Sequence, residues 1–385
     1  MKLLHLSDLH LGRSLKDYDL IRDQAYFLDT VIETVHANAI DAVLLAGDIY
    51  DRAVPSEAAV NLLDSFFERL VESGTETFVI SGNHDSDDRL HFGSSLFEER
   101  HIHIAAKFNG ELKEYTLQDD FGPVHLYLLP FVKASQVRHF YPDEEIATYE
   151  DAVRCILRHA DIDFSERNVI VSHQFVAGSA GDPEKGGSEG LSVQSVGLVE
   201  RISAACFDGF DYAALGHIHA PQQVGRKEVR YAGSPLKYSL SEAGHNKTMP
   251  FITLQEKGDV SVELLPVTPL RDLRHIKGTL KELLDGSSIS GEEDFIYATL
   301  TEEYPGTDLM GTFRQYYPNT VAIDYEQKRK TAAADENTGE AAETRTFSEI
   351  ICDFYRKMYG EEISEEELAL MKETAREAGV YHEAD

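Results

Sequence analysis

The chain has 385 residues, enough for more than one domain, and its 42% hydrophobic and 27% charged residues are ordinary for a soluble globular protein. Its formal net charge of −32 argues against a protein that grips nucleic acid through a basic surface of its own. No apolar stretch approaches the ~20 residues of a transmembrane helix, no signal peptide is recognisable, and three scattered cysteines indicate free thiols, so we expect a cytoplasmic protein with no membrane association.

The first third of the chain predicts alternating strands and helices. Residues 1–7 predict a buried strand, and residues 19–37 carry apolar side chains at helical spacing. After a second strand, a helix is predicted to begin at Ser56, a plausible N-cap, and to end at Gly74. This order predicts right-handed parallel crossovers, and such sheets bind ligands at the carboxyl ends of their strands.

Five strand-like runs each end in side chains that can bind a metal ion. The candidates, in chain order, are Asp8, His10, Asp48, Asn83, His84, His173, His217 and His219. In extended chain, residues i and i+2 face the same way, so Asp8 and His10 are expected to face one point. Carboxylate, amide and imidazole ligands without thiolate suit a divalent ion such as Mn²⁺. The set is too large for one ion, so we expect two that share a carboxylate, with Asp48 as the bridge.

Two other sequence patterns give weaker evidence of function. His101 and His103 form an H-x-H pair that lacks a preceding Gly turn, so an ordinary strand or surface pair is expected. Residues 177–190 predict a loop in which residues 186–190 match G-x-S-x-G. A serine nucleophile of that type needs a strand before it and a helix after it, and neither is evident.

The C-terminal third differs in composition from the rest of the chain and predicts several separate parts. We expect one domain over residues 1–268, a small α+β domain over 269–330, a flexible linker over 331–345 and a helical tail over 346–385. The tail docks either onto its own protein or onto a partner, and the linker favours a partner. Basic residues near the start of the small domain are either a solvated helix face or a DNA contact: Arg271, Arg274, Lys277 and Lys281.

The order D-x-H, G-D, G-N-H-D, H and G-H-x-H resembles the calcineurin-like metallophosphoesterase family. Further stretches resemble one branch, the SbcD family of double-strand-break repair nucleases: residues 1–13, 46–52, 172–178, 233–239 and 269–274. The resemblance covers about residues 1–325. It implies an α/β fold: a four-layer α/β/β/α sandwich with a small α+β capping domain and C-terminal helices.

The resemblance also implies an activity and a role for each matching residue. The implied activity is a di-manganese nuclease, acting as a 3′-to-5′ exonuclease on duplex DNA and an endonuclease on single strands and hairpins, in repair, recombination and replication. One ion would be held by Asp8, His10, Asp48 and His219, and the other by Asp48, Asn83, His173 and His217. His84 would be the catalytic acid, and Asp85 would orient its imidazole.

The implied partners are DNA and an SbcC-like, SMC-family ATPase bound by the C-terminal helices, which fits a chain without a P-loop motif. A homodimer within a heterotetramer is implied too, through helices that carry Leu62, Phe66 and Leu96, although a core position explains these residues equally well. Relatives often carry a His where this chain has Asp51, so no role is carried over to that position. Two alternatives remain open: a phosphoesterase acting on small phosphodiesters, nucleotides or phosphoproteins, and a non-catalytic scaffold.

Overall fold

The computed structural model describes residues 1–179, 181–184, 201–285, 291, 293–302, 308–326, 351–352, 355, 363–364 and 367–372. The G-x-S-x-G pattern at 186–190, the predicted linker at 331–345 and most of the predicted tail lie outside these residues. The chain divides into two compact units. The first comprises Met1–Lys277, Lys281–Ala298 and Gly306–Ile323, and the second comprises Gly278–Leu280, Thr299–Pro305 and Asp324–Asp385.

Within the described residues the chain forms strands and helices in frequent alternation. The strands are β1 (Lys2–Leu6), β2 (Ser14–Leu15), β3 (Tyr18–Asp19), β4 (Ala42–Ala46), β5 (Glu76–Ile80), β6 (Ile102–Ala105), β7 (Lys113–Asp119), β8 (Gly122–Leu129), β9 (Arg167–His173), β10 (Val176–Ala177), β11 (Ile202–Ser203), β12 (Tyr212–Gly216), β13 (Gln222–Val224), β14 (Arg226–Tyr231), β15 (Thr248–Leu254), β16 (Val260–Pro266), β17 (Leu273–Gly278), β18 (Phe295–Leu300) and β19 (Thr320–Tyr325). The helices are α1 (Ile21–Asn38), α2 (Glu57–Ser73), α3 (Asp87–His91), α4 (Ser94–Glu98), α5 (Ala134–Phe140), α6 (Tyr149–His159), α7 (Leu280–Leu283) and α8 (Leu309–Arg314). None of the helices in this described part is long and apolar enough to cross a membrane.

Two six-stranded sheets form the centre of the first unit. The first sheet has the order β16-β15-β1-β4-β5-β6, in which β1, β4, β5 and β6 run parallel. The second has the order β13-β14-β12-β9-β8-β7, in which β8, β9, β12 and β14 run parallel. An antiparallel strand borders the parallel strands in each sheet: β15 pairs with β1 in the first, and β7 pairs with β8 in the second. Parallel pairing therefore forms the middle of both sheets, as predicted, and the right-handed sense of the crossovers stays a prediction.

Three apolar layers hold these sheets and their helices together. Leu44, Phe78 and Val171 belong to a fully buried core formed by residues of both sheets. On the outer face of the first sheet, residues of α1 and α2 form a second core that includes Val31. On the outer face of the second sheet, residues of α5 and α6 form a third core that includes Ile156. The layer order is thus helix, sheet, sheet, helix, as the resemblance implies.

The predicted helix ends are confirmed at α2. The Ser56 side chain accepts a hydrogen bond from the backbone N–H of Ala59, 3.3 Å away, which satisfies a donor that the helix itself leaves unpaired. At the other end Gly74 has φ +71°, the left-handed conformation of a helix C-cap. In the second unit the Ser364 hydroxyl and the Glu367 carboxylate each accept a hydrogen bond from the other residue's backbone N–H, which confirms the capping box.

A three-stranded sheet, β17-β18-β19, follows the sandwich in sequence. Within the first unit, Leu273 and Phe295 of this sheet share a small buried cluster with Tyr238. Arg271, just before β17, is paired through two nitrogens with the Asp23 carboxylate of α1. Arg274 lies 2.9 Å from Asp294. Arg271 and Arg274 are therefore engaged in ion pairs, and DNA contact by this cluster stays a prediction.

Candidate metal centre

The candidate ligands lie at neighbouring strand ends of both sheets. Asp8, Asp48 and Asn83 follow β1, β4 and β5, which are adjacent in the first sheet. His173 ends β9 and His217 follows β12, which are adjacent in the second sheet. The backbone N–H of His217 donates to the Asp8 carboxylate over 3.1 Å, which connects the two groups of strand ends directly. The site therefore occupies the carboxyl edge of the sandwich, where parallel sheets bind ligands.

One group of ligand atoms is formed by Asp8, His10 and His219. One ligand atom from each of these residues lies within 4.8 Å of the others. The Nε2 atoms of His10 and His219 are only 3.1 Å apart, and all three residues are buried. Buried imidazole nitrogens and a carboxylate that converge in this way are the donor set of a divalent cation.

A second group lies around Asn83. Its Oδ1 atom is 3.1 Å from Nε2 of His173 and 2.9 Å from Nδ1 of His217. Asp48 lies between the two groups, since its Oδ2 atom is 3.5 Å from Nε2 of His173 and 3.6 Å from Nε2 of His10. The structure thus brings together the candidate ligands predicted from the sequence, with Asp48 in the middle.

The protonation states of His217, His10 and Asp48 fit metal binding, whereas His173 has to release a proton when it binds a metal ion. Burial lowers the pKa of His217 to about 3 and holds that of His10 well below its usual value, so both imidazoles are neutral. Burial acts against the ionised carboxylate of Asp48, but His173 and His10 beside it hold its pKa well below the ordinary range. Burial opposes the charged form of His173 as well, yet the same carboxylate raises its pKa to about 9. Neutral imidazoles and an ionised carboxylate are the forms that bind metal.

The local backbone differs from the extended chain predicted at the ligands. Asp8, His10, Asp48 and His217 have φ values of +52°, +44°, +51° and +99°, in the left-handed region that non-glycine residues rarely adopt. Asp8 and His10 still converge, but through tight turns after β1 and not through strand alternation. Such strain is concentrated at functional sites because the surrounding structure has to hold it.

A glycine is required where the turns after β4 and β5 meet. A Cβ atom added at Gly82 would overlap Oδ1 of Asp48, the central carboxylate. That oxygen also accepts the backbone N–H of His84 over 2.9 Å. The G-N-H-D motif therefore begins with glycine because the Asp48 side chain fills the space that a larger residue would need.

His84 is half-buried beside the first ligand group. Its ring centroid is 4.9 Å from that of His10, and its Nδ1 atom is 3.2 Å from the backbone carbonyl oxygen of Asp51. A carbonyl can only accept, so Nδ1 carries a proton and donates it there. The other ring nitrogen, Nε2, is then the one that can exchange a proton with a substrate.

The prediction for Asp85 needs correction. Its carboxylate does not orient the His84 ring but accepts three backbone N–H groups, those of Ile49, Tyr50 and Gly82, at 2.9 to 3.0 Å. Burial and the nearby Asp48 raise its pKa to about 6, although these three hydrogen bonds favour the ionised form. Asp85 satisfies buried donors at the ends of β4 and β5 and so fixes the two turns that carry Asp48 and Asn83.

The sequence analysis missed a buried charged pair behind His219. The Glu242 carboxylate is fully buried, lies 3.4 Å from Nδ1 of His219 and forms an ion pair with Lys247 at 2.6 Å. Burial alone would raise the pKa of Glu242, but the hydrogen bond with His219 and the Lys247 ammonium hold it well below its usual value. Neither residue belongs to a motif, and their neighbours from Ser241 to Asn246 are exposed or half-buried, so the sequence pattern did not indicate a buried pair.

Comparison with known proteins agrees with this geometry. Residues 1–221, more than half of the chain, match the family model of the calcineurin-like phosphoesterases. A curated relative from Staphylococcus saprophyticus, the SbcD component of the nuclease SbcCD, is 32% identical over 327 residues, which cover 84% of this chain and 84% of the relative. The chain belongs to the SbcD family of calcineurin-like phosphoesterases. As a member of that family it is a metal-dependent phosphoesterase, and the family implies divalent metal ions at the ligand groups described above.

Two further matches concern other parts of this SbcD-family chain and its fold. Residues 269–359 match a model described as the type 5 capsule protein repressor C-terminal domain. A solved structure of a dimetal phosphatase from Danio rerio aligns with 70% of this chain and 98% of its own, at 13% identity and a TM-score of 0.36. That structural similarity is low, so the family assignment follows from the sequence matches and the fold from the sheets themselves.

Proposed function

We propose that this chain is the nuclease component of a DNA-processing complex and hydrolyses DNA phosphodiester bonds with two divalent ions. The observation that carries the proposal is the central position of Asp48, whose Oδ2 atom faces His10 on one side and His173 on the other at similar distances. A single carboxylate oxygen between two ligand groups is the arrangement of a two-metal site. The name of the Staphylococcus relative, a nuclease subunit, supports a nucleic acid as the substrate.

Each ion has its own set of ligands in this proposal. The first set is Asp8, His10, Asp48 and His219, and the second is Asp48, Asn83, His173 and His217. Mixed oxygen and imidazole ligands without a thiolate favour Mn²⁺ among the biological divalent ions. When bound, the two ions supply positive charge to the phosphate and activate a water molecule for attack on phosphorus.

His84 is the proposed catalytic acid. Its Nδ1–H is held by the Asp51 carbonyl oxygen, and its backbone N–H is held by the Asp48 carboxylate. The ring is thereby fixed in orientation while remaining half-exposed at the cleft. Nε2 of the protonated ring then donates a proton to the leaving 3′ oxygen of the DNA strand. Cleavage as a 3′-to-5′ exonuclease on duplexes and an endonuclease on single strands and hairpins is part of the proposal.

The second unit is proposed to bind an SbcC-like, SMC-family ATPase. Leu370 and Met371 belong to its described helical residues and are exposed, with 64% and 41% of their surface open to solvent. Large apolar side chains on one exposed helix favour docking into a groove of another protein. The relative's name, which makes it part of SbcCD, supports such an assembly. The net charge of −32 disfavours tight DNA binding by this chain alone and so also supports a partner.

Further parts of the proposal concern the domain limits, the location and the dimer. We propose domain limits at residues 268, 330 and 345, and the family model that begins at residue 269 supports the first of these limits. A cytoplasmic location is supported by free Cys155, Cys206 and Cys352. A homodimer within a heterotetramer is supported by exposed Leu96, whereas Phe66 is buried and belongs to the core.

A Mn²⁺-dependent nuclease assay tests the function. The chain, with and without its ATPase partner, is incubated with blunt duplex DNA and, separately, with a small chromogenic diester. We expect wild type to degrade DNA, Asp48→Ala to lose both bound Mn²⁺ and activity, and His84→Gln to keep Mn²⁺ but lose about 10²- to 10⁴-fold in rate. His103→Gln is the matched control, because His103 is paired with Glu76 on the sheet and does not touch the site.

Two results would contradict parts of this proposal. Near wild-type turnover by His84→Gln would remove the acid assignment and leave the metal assignment standing. Two bound ions together with cleavage of the chromogenic diester but not of any DNA, even with the partner present, would rule out the nuclease.

A further inference from the structure

Glu242 lies at the rear of the candidate metal centre. It belongs to a short 3₁₀ helix, Leu240–Gly244, and none of its surface is exposed. Its Oε1 atom lies 3.4 Å from Nδ1 of His219, while Nε2 of the same ring faces Nε2 of His10 at 3.1 Å. The two nitrogens of His219 therefore have different neighbours, with a carboxylate on one side and the ligand cluster on the other.

Lys247 fixes this carboxylate in place. Its ammonium lies 2.6 Å from Oε2 of Glu242, 2.8 Å from the Ser234 hydroxyl and 2.9 Å from the backbone carbonyl oxygen of His219. Ser234 also donates to Oε2 of Glu242 over 3.1 Å. One buried ammonium thus binds both the carboxylate and the main chain of the residue that the carboxylate faces. Leaving either charge without its partner would destabilise the fold, so the two residues act as a unit.

We propose that Glu242, held by Lys247, is a positioning residue that fixes the His219 tautomer and so prepares Nε2 to bind the first metal ion. The inference rests on the proposed function, because it assigns His219 to that ion. A carboxylate only accepts hydrogen bonds, so Nδ1 of His219 carries the proton and Nε2 keeps its lone pair. Histidine ligands of metals commonly donate their other ring N–H to a carboxylate or carbonyl, which orients the ring and strengthens the ligand.

The same logic applies to His173, another candidate ligand. In His173, Nδ1 lies 2.7 Å from the backbone carbonyl oxygen of Ala46, and Nε2 faces Asn83 and Asp48. A backbone carbonyl cannot be removed by mutation, whereas Glu242 can. The tautomer of His219, unlike that of His173, is therefore open to a direct test by mutation.

The variant Glu242→Gln is informative because an amide has two different ends. Lys247 contacts Oε2 and attracts the amide oxygen, which turns the amide NH₂ group toward Nδ1 of His219. Nδ1 must then accept a hydrogen bond, and the proton moves to Nε2, which loses its lone pair for the metal. We expect the affinity of one Mn²⁺ site to fall about 10- to 100-fold while the other is unchanged.

The double variant Glu242→Gln with Lys247→Met reverses this effect. Without the ammonium, the amide is free to turn its oxygen toward Nδ1, and the metal-binding tautomer of His219 returns. The double variant also removes the buried ammonium that has lost its carboxylate counter-ion in the single variant, so it is expected to fold even where the single variant does not. We expect it to recover affinity at the weakened site.

The experiment is a Mn²⁺ titration of the metal-free full chain, with free Mn²⁺ measured by electron paramagnetic resonance. Wild type, Glu242→Gln, the double variant and Ser234→Ala are compared, and thermal unfolding is recorded for each. Ser234→Ala is the matched control, since it removes hydrogen bonds to the same carboxylate and ammonium but none to the His219 ring. It is expected to lower the melting temperature and to keep both Mn²⁺ affinities.

The outcomes separate this inference from the proposed function. Two sites in wild type with the same two affinities in Glu242→Gln would overturn the inference alone. Fewer than two sites in wild type would overturn the proposed function, and the inference with it. A ¹⁵N spectrum of the histidine rings in metal-free wild type gives a second readout that depends on no variant's folding. There, neutral His219 protonated at Nε2 would contradict the inference.

Discussion

His5 is a polar side chain in the core between the two sheets. It is fully buried on β1, and its Nδ1 atom lies 2.9 Å from the hydroxyl of Tyr212 on β12 of the other sheet. Burial, aided by the positive charge of Arg230, lowers its pKa from 6.5 to about 3. His5 therefore stays neutral in the folded protein under conditions in which an unfolded chain would protonate it.

This difference makes stability depend on pH. Between pH 6.5 and about 3 the unfolded state binds one proton more than the folded state at His5, so the free energy of unfolding falls as the pH is lowered. From pH 7 to pH 5 we expect His5 to account for a loss of about 2 kcal/mol. His5→Gln removes the titrating group. In urea unfolding with chelator present, we therefore expect this variant to lose about 2 kcal/mol less stability between pH 7 and pH 5 than wild type does.

Tyr212→Phe is the control for the His5 prediction. It removes the hydroxyl that contacts His5 but leaves the buried imidazole, so it should lower stability at every pH and keep the wild-type pH dependence. If His5→Gln and wild type lost equal stability between pH 7 and pH 5, His5 would not be the group responsible.

The candidate ligands could be predicted from sequence because each follows an apolar run and each is a metal-binding type. Parallel topology places the ligands of each sheet at one edge, and packing of the two sheets brings the two groups together. The positive φ angles of Asp8 and His10 could not be predicted, because turn strain depends on what the surroundings hold in place. Asp85 was assigned to its neighbour His84 by adjacency, but successive residues point in different directions, and its carboxylate reaches three backbone N–H groups instead.

At the scale of elements, the helices with an apolar stripe and a cap were predicted well. α1 was expected over residues 19–37 and spans Ile21–Asn38, and α2 begins and ends where Ser56 and Gly74 indicate. The sequence did not decide which helix positions face the core and which face an interface. Leu62, Phe66 and Leu96 were equally consistent with core and interface, and only packing separates them, since Phe66 is buried and Leu96 is 73% exposed.

The exposed side of α4 and its neighbours predicts a homodimer. Phe92 and Leu96 expose 83% and 73% of their surface, and Val60 of α2 lines one groove with Phe92. Large exposed apolar side chains close together are typical of protein interfaces. We expect wild type to sediment as a dimer and Leu96→Glu as a monomer, because a charge at the interface would have to be buried.

Leu264→Glu is the matched control for the dimer. Leu264 lies on β16 and is 44% exposed, so the same substitution there changes surface charge without touching the α4 face. Both variants should keep the wild-type melting temperature. A Leu96→Glu variant that sediments as a dimer would show that the interface lies elsewhere.

At the scale of the whole molecule, negative charge is concentrated toward the C-terminus. Residues 331–385 contain 15 acidic and 5 basic residues. Such a segment is repelled by DNA, so its helical residues are better suited to a protein partner than to the substrate. The sequence could indicate this role by composition and by the capping box at Ser364, but the identity of the partner rests on the family.

Deleting residues 346–385 is expected to abolish co-purification with the SMC-family ATPase. The deletion removes exposed Leu370 and Met371, whose burial in a partner groove would supply the binding energy. Mn²⁺ binding by the remaining chain should be unchanged, because the candidate ligands lie between residues 8 and 219.

A point variant tests the exposed apolar surface of the tail without removing the tail. Leu370→Asp in the full chain changes one exposed side chain and should weaken co-purification without altering Mn²⁺ binding. Undiminished binding of the ATPase after the deletion would show that another part of the chain holds the partner.

The candidate ligands are divided between two sheets, and the contact from His217 to Asp8 joins residues 209 positions apart. A nascent chain that has emerged only as far as β9 lacks His217 and His219, so neither ligand group is complete. Nuclease chemistry is thereby withheld until synthesis has passed β12 and the two sheets have packed. A phosphoesterase built in this way has no complete set of metal ligands until residues of both sheets have left the ribosome.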